Sequence, residues 1–290
     1  MKLSWQPERR SDRPFPRIFL SASIPSPKRN PVYLSGPVAQ VEQALMLRVI
    51  ETRVQDAVAS LVAQVLRVGG QVVFGGHPAI TPMVAATAST YSVEERNGET
   101  PIVLYQSEYF RDAPPPVGRK EMESANLTRT IWVPADPQEA SEKFSVAEKW
   151  LHSERFRELR QGQADKNADP ILVDALVALR LVMLLRSQPN AAVSMGGMEG
   201  VEAEALLYRA LADENEARPI FALRSTFGAA AKLDGHGIRF IDEEFLKLSL
   251  VNDPFALRPE VNRQKIEQHL LHRIRYDGIM RDLITRVRQV

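Results

Sequence analysis

The 290-residue chain has no cysteine. Thiolate zinc sites, iron–sulfur clusters, disulfides and cysteine nucleophiles are thereby excluded. Net charge is nearly absent too: 37 Lys and Arg stand against 36 Asp and Glu, a formal +1. Such a balance argues against a protein built to grip nucleic acid or an anionic membrane surface, and neither is expected as a partner. No apolar run approaches the ~18–20 residues of a membrane span. The segment Met1–Pro16 is polar, with Glu8, Arg9, Arg10, Asp12 and Arg13 where a signal peptide would carry its apolar core, so a cytoplasmic protein is expected. No G-x-G-x-x-G follows the first strand, no P-loop Lys-Ser/Thr occurs, and no G-x-S-x-G elbow is present. Internal repeats and low-complexity tracts are likewise missing. What remains, 44% apolar and 25% charged residues, is an ordinary globular composition.

Short apolar runs alternate with helical patterns along the chain. Arg17–Ile24, Gln71–Phe74, Pro101–Tyr105, Arg129–Val133, Ala191–Met195 and Pro219–Leu223 read as six strands. Helices are expected from Gly36 to Val68, Met83 to Tyr91, Glu139 to Leu159, Ile171 to Arg186 and Val201 to Ala212, with a small one after the sixth strand and a charged one from about Pro259 onward. Strands of four to six apolar residues alternating with helices imply an α/β fold: a Rossmann-like doubly wound parallel sheet with a C-terminal helical extension. The expected organisation is an extended lead-in over 1–16, a Rossmann-like domain over 17–241 and a helical extension over 242–290.

In an open parallel sheet, ligands bind beyond the carboxyl ends of the strands and often at helix N-termini. Three such ends here carry small or hydroxyl residues: Ser21-Ala22-Ser23, Gly75-Gly76 followed by His77, and Gly196-Gly197-Met198-Glu199-Gly200. Glycine lets backbone approach a phosphate and leaves its N–H groups free to donate, although tight turns in α/β folds use glycine as well. Carboxylates at Glu202 and Glu204 fall on the first turns of the following helix, where they either meet a ligand or complement the helix dipole. His77 is placed to contact a phosphate or base, or only to shape the turn before Pro78. His269 and His272 are spaced for half a metal site, but no third ligand accompanies them, and no metal or cofactor is expected. Ser21 and Ser23 lack a His/Asp partnership for nucleophilic work. Arg273, Arg275, Arg281, Arg286 and Arg288 make the last helix basic, yet Glu267, Asp277 and Asp282 interrupt it, the pattern of a solvated or interface face.

The glycine loop and the helix before it resemble the SLOG superfamily, the Rossmann-like group that includes the Lonely Guy phosphoribohydrolases and the DNA-processing protein DprA. Lonely Guy enzymes carry Pro-Gly-Gly-x-Gly-Thr-x-x-Glu with an Arg-Lys pair sixteen residues ahead of the first glycine. That spacing falls on Arg180, and the motif carboxylate corresponds to Glu204 when one residue is inserted between the second and third glycines. Met195 stands for the motif Pro, Leu181 for the Lys and Val201 for the Thr. The resemblance spans about Arg17 to Lys232 and is nearest in style to SLOG families of prokaryotic conflict and antiphage systems. It implies a ligand site of Ser21, Ala22, Ser23, Gly75, Gly76, His77, Arg180, Gly196, Gly197, Met198, Glu199, Gly200 and Glu204. The partner it implies is a nucleotide or nucleotide-derived small molecule, such as ADP-ribose, cyclic ADP-ribose or a nucleoside monophosphate, bound by a homo-oligomeric sensor that signals to a separate effector protein. The alternative is a hydrolase of the N-glycosidic bond in which Arg180 and Glu204 are catalytic. A third reading is a scaffold whose ancestral pocket is vestigial.

Overall fold

The computed structural model describes residues 2–5, 16–25, 40–93, 99–145, 153–164, 169–211, 218–234, 237–242 and 274–289. Seven strands build the main sheet: β2 (Arg17–Ser23), β3 (Gln71–Phe74), β5 (Ile102–Ser107), β6 (Thr128–Val133), β7 (Ala191–Gly196), β8 (Ile220–Leu223) and β9 (Ile238–Phe240). Their order is β6-β5-β3-β2-β7-β8-β9, and every neighbouring pair is parallel. The Rossmann-like doubly wound sheet expected from the alternating runs is therefore what the chain adopts, with one strand more than the six expected. At three residues β9 is too short to announce itself by pattern.

Both faces of the sheet are covered, which is why the central strands read as unbroken apolar runs. On one face Ile18, Leu20, Val72, Phe74 and Val193 meet α1 (Gln40–Arg67), α2 (Thr81–Ala88), α3 (Arg119–Ser124) and α9 (Tyr276–Val287). On the other, Phe19, Val73, Val103 and Ala192 meet α4 (Pro137–Phe144), α6 (Pro170–Ser187), α7 (Glu199–Ala210) and, through Leu233, the end of α8 (Gly228–Lys232). The basic last helix is amphipathic: Tyr276, Ile279, Met280, Leu283, Ile284 and Val287 are buried, and it packs along α1. His269, His272 and Arg273 lie outside the described residues. Among the described residues no helix is long and apolar enough to cross a membrane.

Local chemistry explains where elements stop. α1 ends at Gly69, whose φ of 68° suits the left-handed exit, and Gly70 N–H bonds back to Val65 O at 2.9 Å. α6 starts on Asp169, whose carboxylate accepts from Ile171 N–H at 2.9 Å ahead of Pro170 at the first position. Two expected helices differ in extent. Within the polar stretch from Glu139 to Leu159 the described residues form α4, which ends where Ser145 turns left-handed at φ 51°, and the first part of α5 (Glu154–Ala164). The helix expected to reach Tyr91 stops at Ala88, where Ser89 and Thr90 hydroxyls bond back to Ala86 O and Thr87 O, each at 2.8 Å. Tyr91–Val93 is then a short strand, β4, pairing in parallel with β1 (Leu3–Trp5) from the lead-in.

Candidate functional site

β2 is the first core strand. From it β3, β5 and β6 stack to one side, and β7, β8 and β9 to the other. β2 is followed by α1 on one face of the sheet and β7 by α7 on the other, the arrangement that opens a crevice beyond their carboxyl ends. A cavity of about 290 Å³ occupies this end of the sheet, at the lower edge of the ~300–1,000 Å³ typical of small-molecule sites. Its lining draws Ala22 and Ser23 from β2, Gly75, Gly76 and His77 from beyond β3, Gln106 and Ser107 from β5, Arg119 from α3, Arg180 from α6, and Gly200 and Glu204 from α7. Phe74, Ile80, Phe110, Leu176 and Leu179 supply apolar wall.

At one end sits a compact polar cluster. Ser21 O–H donates to Glu204 Oε2 at 2.5 Å, and Arg180 Nε–H reaches Glu204 Oε1 at 3.4 Å. Arg180 is only 8% exposed, held there by the apolar faces of α6, and its Nη1 is buried without a hydrogen-bond partner. Gly200 makes room for the guanidinium: a β-carbon there would stand 3.1 Å from Arg180 Nη2. Burial pushes the Glu204 carboxyl up from its ordinary value, against the opposing pull of the Arg180 charge and the Ser21 hydroxyl. A cation, a carboxylate of raised proton affinity and a hydroxyl thus share one partly desolvated spot. Such a set can accept from and donate to sugar hydroxyls, or hold a proton for a leaving group.

Of the thirteen residues singled out from the sequence, Ala22, Ser23, Gly75, Gly76, His77, Arg180, Gly200 and Glu204 line this cavity. Ser21 touches it through Glu204. Gly196, Gly197, Met198 and Glu199 are not in the lining. Gly196 N–H donates to Thr226 Oγ1 at 2.8 Å and Gly197 N–H to Ser23 O at 2.7 Å, so these two donors are engaged inside the fold. The Gly197 α-carbon packs against Val201, which does line the cavity. His77 Nδ1 accepts from Ala79 N–H at 3.2 Å, and its carbonyl accepts from Ile80 and Thr81 N–H; the turn before α2 is built on it.

Gln106 and Arg119 escaped notice in the sequence. Arg119 Nη1 donates to Gln106 Oε1, and its guanidinium lies 5.5 Å from the centre of the Trp132 ring. The signal was available: the rule that ligands gather at carboxyl ends of strands applies to β5 as much as to β2, β3 and β7. The Pro114–Pro116 loop hid it by separating Arg119 from the strand it serves. Among the described residues no three His, Asp or Glu side chains gather into a metal site.

No curated protein and no solved structure matches the chain. A family model does match, that of the SLOG cluster3 family, over residues 50–156 and 152–247. These segments take in most of α1, the sheet from β3 to β9 and both Arg180 and Glu204, and membership is consistent with a nucleotide-related function. With well over half of its length matched, the chain belongs to the SLOG cluster3 family.

Proposed function

We propose that this protein binds a nucleotide or nucleotide-derived signal in the switch-point cavity and acts as a sensor in a prokaryotic conflict or antiphage system. The observation that carries the reading is the Arg180–Glu204–Ser21 cluster. A buried guanidinium with an unpartnered Nη1 costs on the order of 1–3 kcal/mol, which an acceptor on a ligand would offset. The carboxylate beside it suits ribose hydroxyls, and family membership together with the parallel-sheet crevice supports a nucleotide as their source. Occupancy then changes packing between copies of the chain and engages an effector. The defence setting comes from likeness to conflict-system families.

A second reading has a specific observation in its favour. Glu204 holds its proton more tightly than a solvated glutamate, as a general acid must, so cleavage of an N-glycosidic bond is the alternative. One experiment separates the two. The protein is incubated with AMP, cyclic ADP-ribose isomers and NAD, while melting temperature and release of free base are both followed. A rise of several degrees without base supports the sensor. Base release that vanishes in Glu204→Gln supports the hydrolase. Absence of both responses overturns the nucleotide reading and leaves a scaffold with a vestigial pocket. Glu204→Gln is preferred to alanine because an amide oxygen still accepts from Arg180 or Ser21 and keeps the fold intact.

A further inference from the structure

The two ends of the cavity differ in chemistry. At the α6–α7 end donors and an acceptor are mixed: Arg180, the Ser21 hydroxyl and the Glu204 carboxylate. At the β5 end the polar lining side chains are Arg119, the Gln106 amide and the Ser107 hydroxyl, with no carboxylate among them. Arg119 cannot accept a hydrogen bond, so the Gln106 group that takes its Nη1 proton must be the amide oxygen. The Gln106 NH₂ is thereby turned the other way, toward Gly76, where a β-carbon would stand 3.0 Å from Nε2 and 2.7 Å from Leu104 Cδ1. Gly76, at φ 67°, leaves that amide uncovered. Arg119 is placed by its neighbours. Gly118, at φ 88°, packs so closely on α2 that a β-carbon would lie 2.4 Å from Ala85 Cβ, and the Trp132 ring flanks the guanidinium. Its Nε is buried without a hydrogen bond, 3.7 Å from Glu123 Oε1, a carboxylate outside the cavity lining that also accepts from Thr130.

A phosphate is acceptor-only and anionic. Beside Glu204 it would meet a like charge, and the Gly196 and Gly197 N–H groups are already engaged with Thr226 and Ser23. Beside Arg119 and Gln106 it meets a cation and an amide donor, and no carboxylate lines that end. Granted the nucleotide reading above, on which this rests, the geometry points to Arg119 and Gln106 as the phosphate end of the site, with Arg180, Glu204 and Ser21 as the sugar-hydroxyl end. The ligand class that follows is a phosphorylated nucleoside lying from β5 across β3 to α7, its phosphate held away from the Gly196–Gly197 loop.

The test compares each probe that stabilises the wild-type protein (AMP, cyclic ADP-ribose or NAD) with adenosine, the phosphate-free nucleoside unit that all three contain, by calorimetric titration. Selectivity is the ratio of the two dissociation constants. In Arg119→Met that ratio is expected to fall by ~10- to 100-fold, the worth of a charge-assisted hydrogen bond, with Arg119→Lys restoring part of it. Because both ligands are measured on the same variant, a loss of fold lowers both affinities and does not mimic the effect; Gln106→Leu, which keeps Arg119, provides a second variant with a smaller fall. An unchanged ratio in Arg119→Met and Gln106→Leu overturns the assignment and leaves the nucleotide reading standing. A wild-type protein that binds adenosine as tightly as the nucleotide overturns it too. If no probe binds the wild type, the nucleotide reading and this assignment fall together.

Discussion

Two polar clusters, one on each face of the sheet, are assembled from the same three kinds of side chain. Ser21, Arg180 and Glu204 lie on the α6–α7 face; Arg53, Ser225 and Asp242 lie on the α1 face. The second cluster is closed. Asp242, fully buried, accepts from Arg224 N–H at 3.0 Å and Ser225 N–H at 2.7 Å. The Ser225 hydroxyl and Tyr276 O–H pair at 2.8 Å, tying α9 to the end of β8. Arg53 donates to Ser225 O and sits 5.4 Å from the centre of the Phe227 ring. The first cluster is open: one long contact of 3.4 Å, an unpartnered Nη1 and a cavity alongside. Residue types alone would rank the two equally. What separates them is completion, because a fully satisfied network rigidifies a fold while an incomplete one has capacity left for a ligand.

The sharpest way to break this contrast is to cut each network at its carboxylate. Asp242→Ala strands two buried backbone N–H groups and should cost about 2–5 kcal/mol. Glu204→Gln keeps an acceptor in place and should cost less than about 1 kcal/mol. Urea unfolding of both variants checks this, and equal losses would erase the distinction between structural and ligand-facing clusters.

The two glycine pairs extend the comparison. Gly197→Ala would place a β-carbon 2.2 Å from Val201 Cγ2 at a φ of 84°, a combination of strain and overpacking worth about 2–4 kcal/mol. Gly75→Ala meets nothing nearer than Met183 Sδ at 3.9 Å and should change stability by less than about 0.5 kcal/mol, and, Gly75 being part of the cavity lining, it should weaken the binding proposed for a nucleotide. Melting temperatures with and without AMP separate the outcomes; a Gly197→Ala protein as stable as wild type would remove the structural role given to that loop.

The smallest expected effect is on pH dependence. Burial raises the Glu204 pKa in the folded state above its ordinary 4.5. The folded protein therefore binds that proton more tightly than the unfolded chain, and stability declines as pH rises above about 4.5 toward the folded-state value. Glu204→Gln lacks this decline. Its melting temperature relative to wild type should climb over that window and be constant below it, as thermal melts across pH 3.5–8 at fixed ionic strength, on the order of 0.1 M, would register. A wild-type curve that rises relative to Glu204→Gln would show the carboxylate to be net stabilised by Arg180.

Much of the fold was legible because parallel strands buried on both faces must be apolar throughout. Gln71–Phe74 and Ala191–Gly196 are each buried end to end; the first stood out as a run between glycine pairs, the second, over Ala191–Met195, as a run between Pro189-Asn190 and Gly196. Arg180 and Glu204 were legible as a pair only through motif spacing, and the structure brings them to 3.4 Å. Where the reading went astray, the cause was local. Ser145, an unremarkable residue in a polar helical pattern, adopts a left-handed conformation, and the three-residue strands β1, β4 and β9 are too short for any period to show. Arg119 lay hidden for another reason: the Pro114–Pro116 loop stands between it and β5, so the strand-end rule did not point to it.

The amino-acid order by itself determined which segments become strand or helix, through apolar period, proline and glycine placement and capping carboxylates such as Asp136 and Asp169. It also determined that an arginine and a carboxylate would lie near a glycine-rich strand end. Only the tertiary structure decided which glycines face a cavity and which are sealed into the core, and which of two Arg–Ser–carboxylate clusters is left incomplete. Those outcomes depend on contacts between residues far apart in the chain, such as Gly197 with Ser23 and Arg53 with Ser225. Hydrogen bonding is satisfied or left wanting by the whole packed assembly, and no local stretch of sequence carries that information.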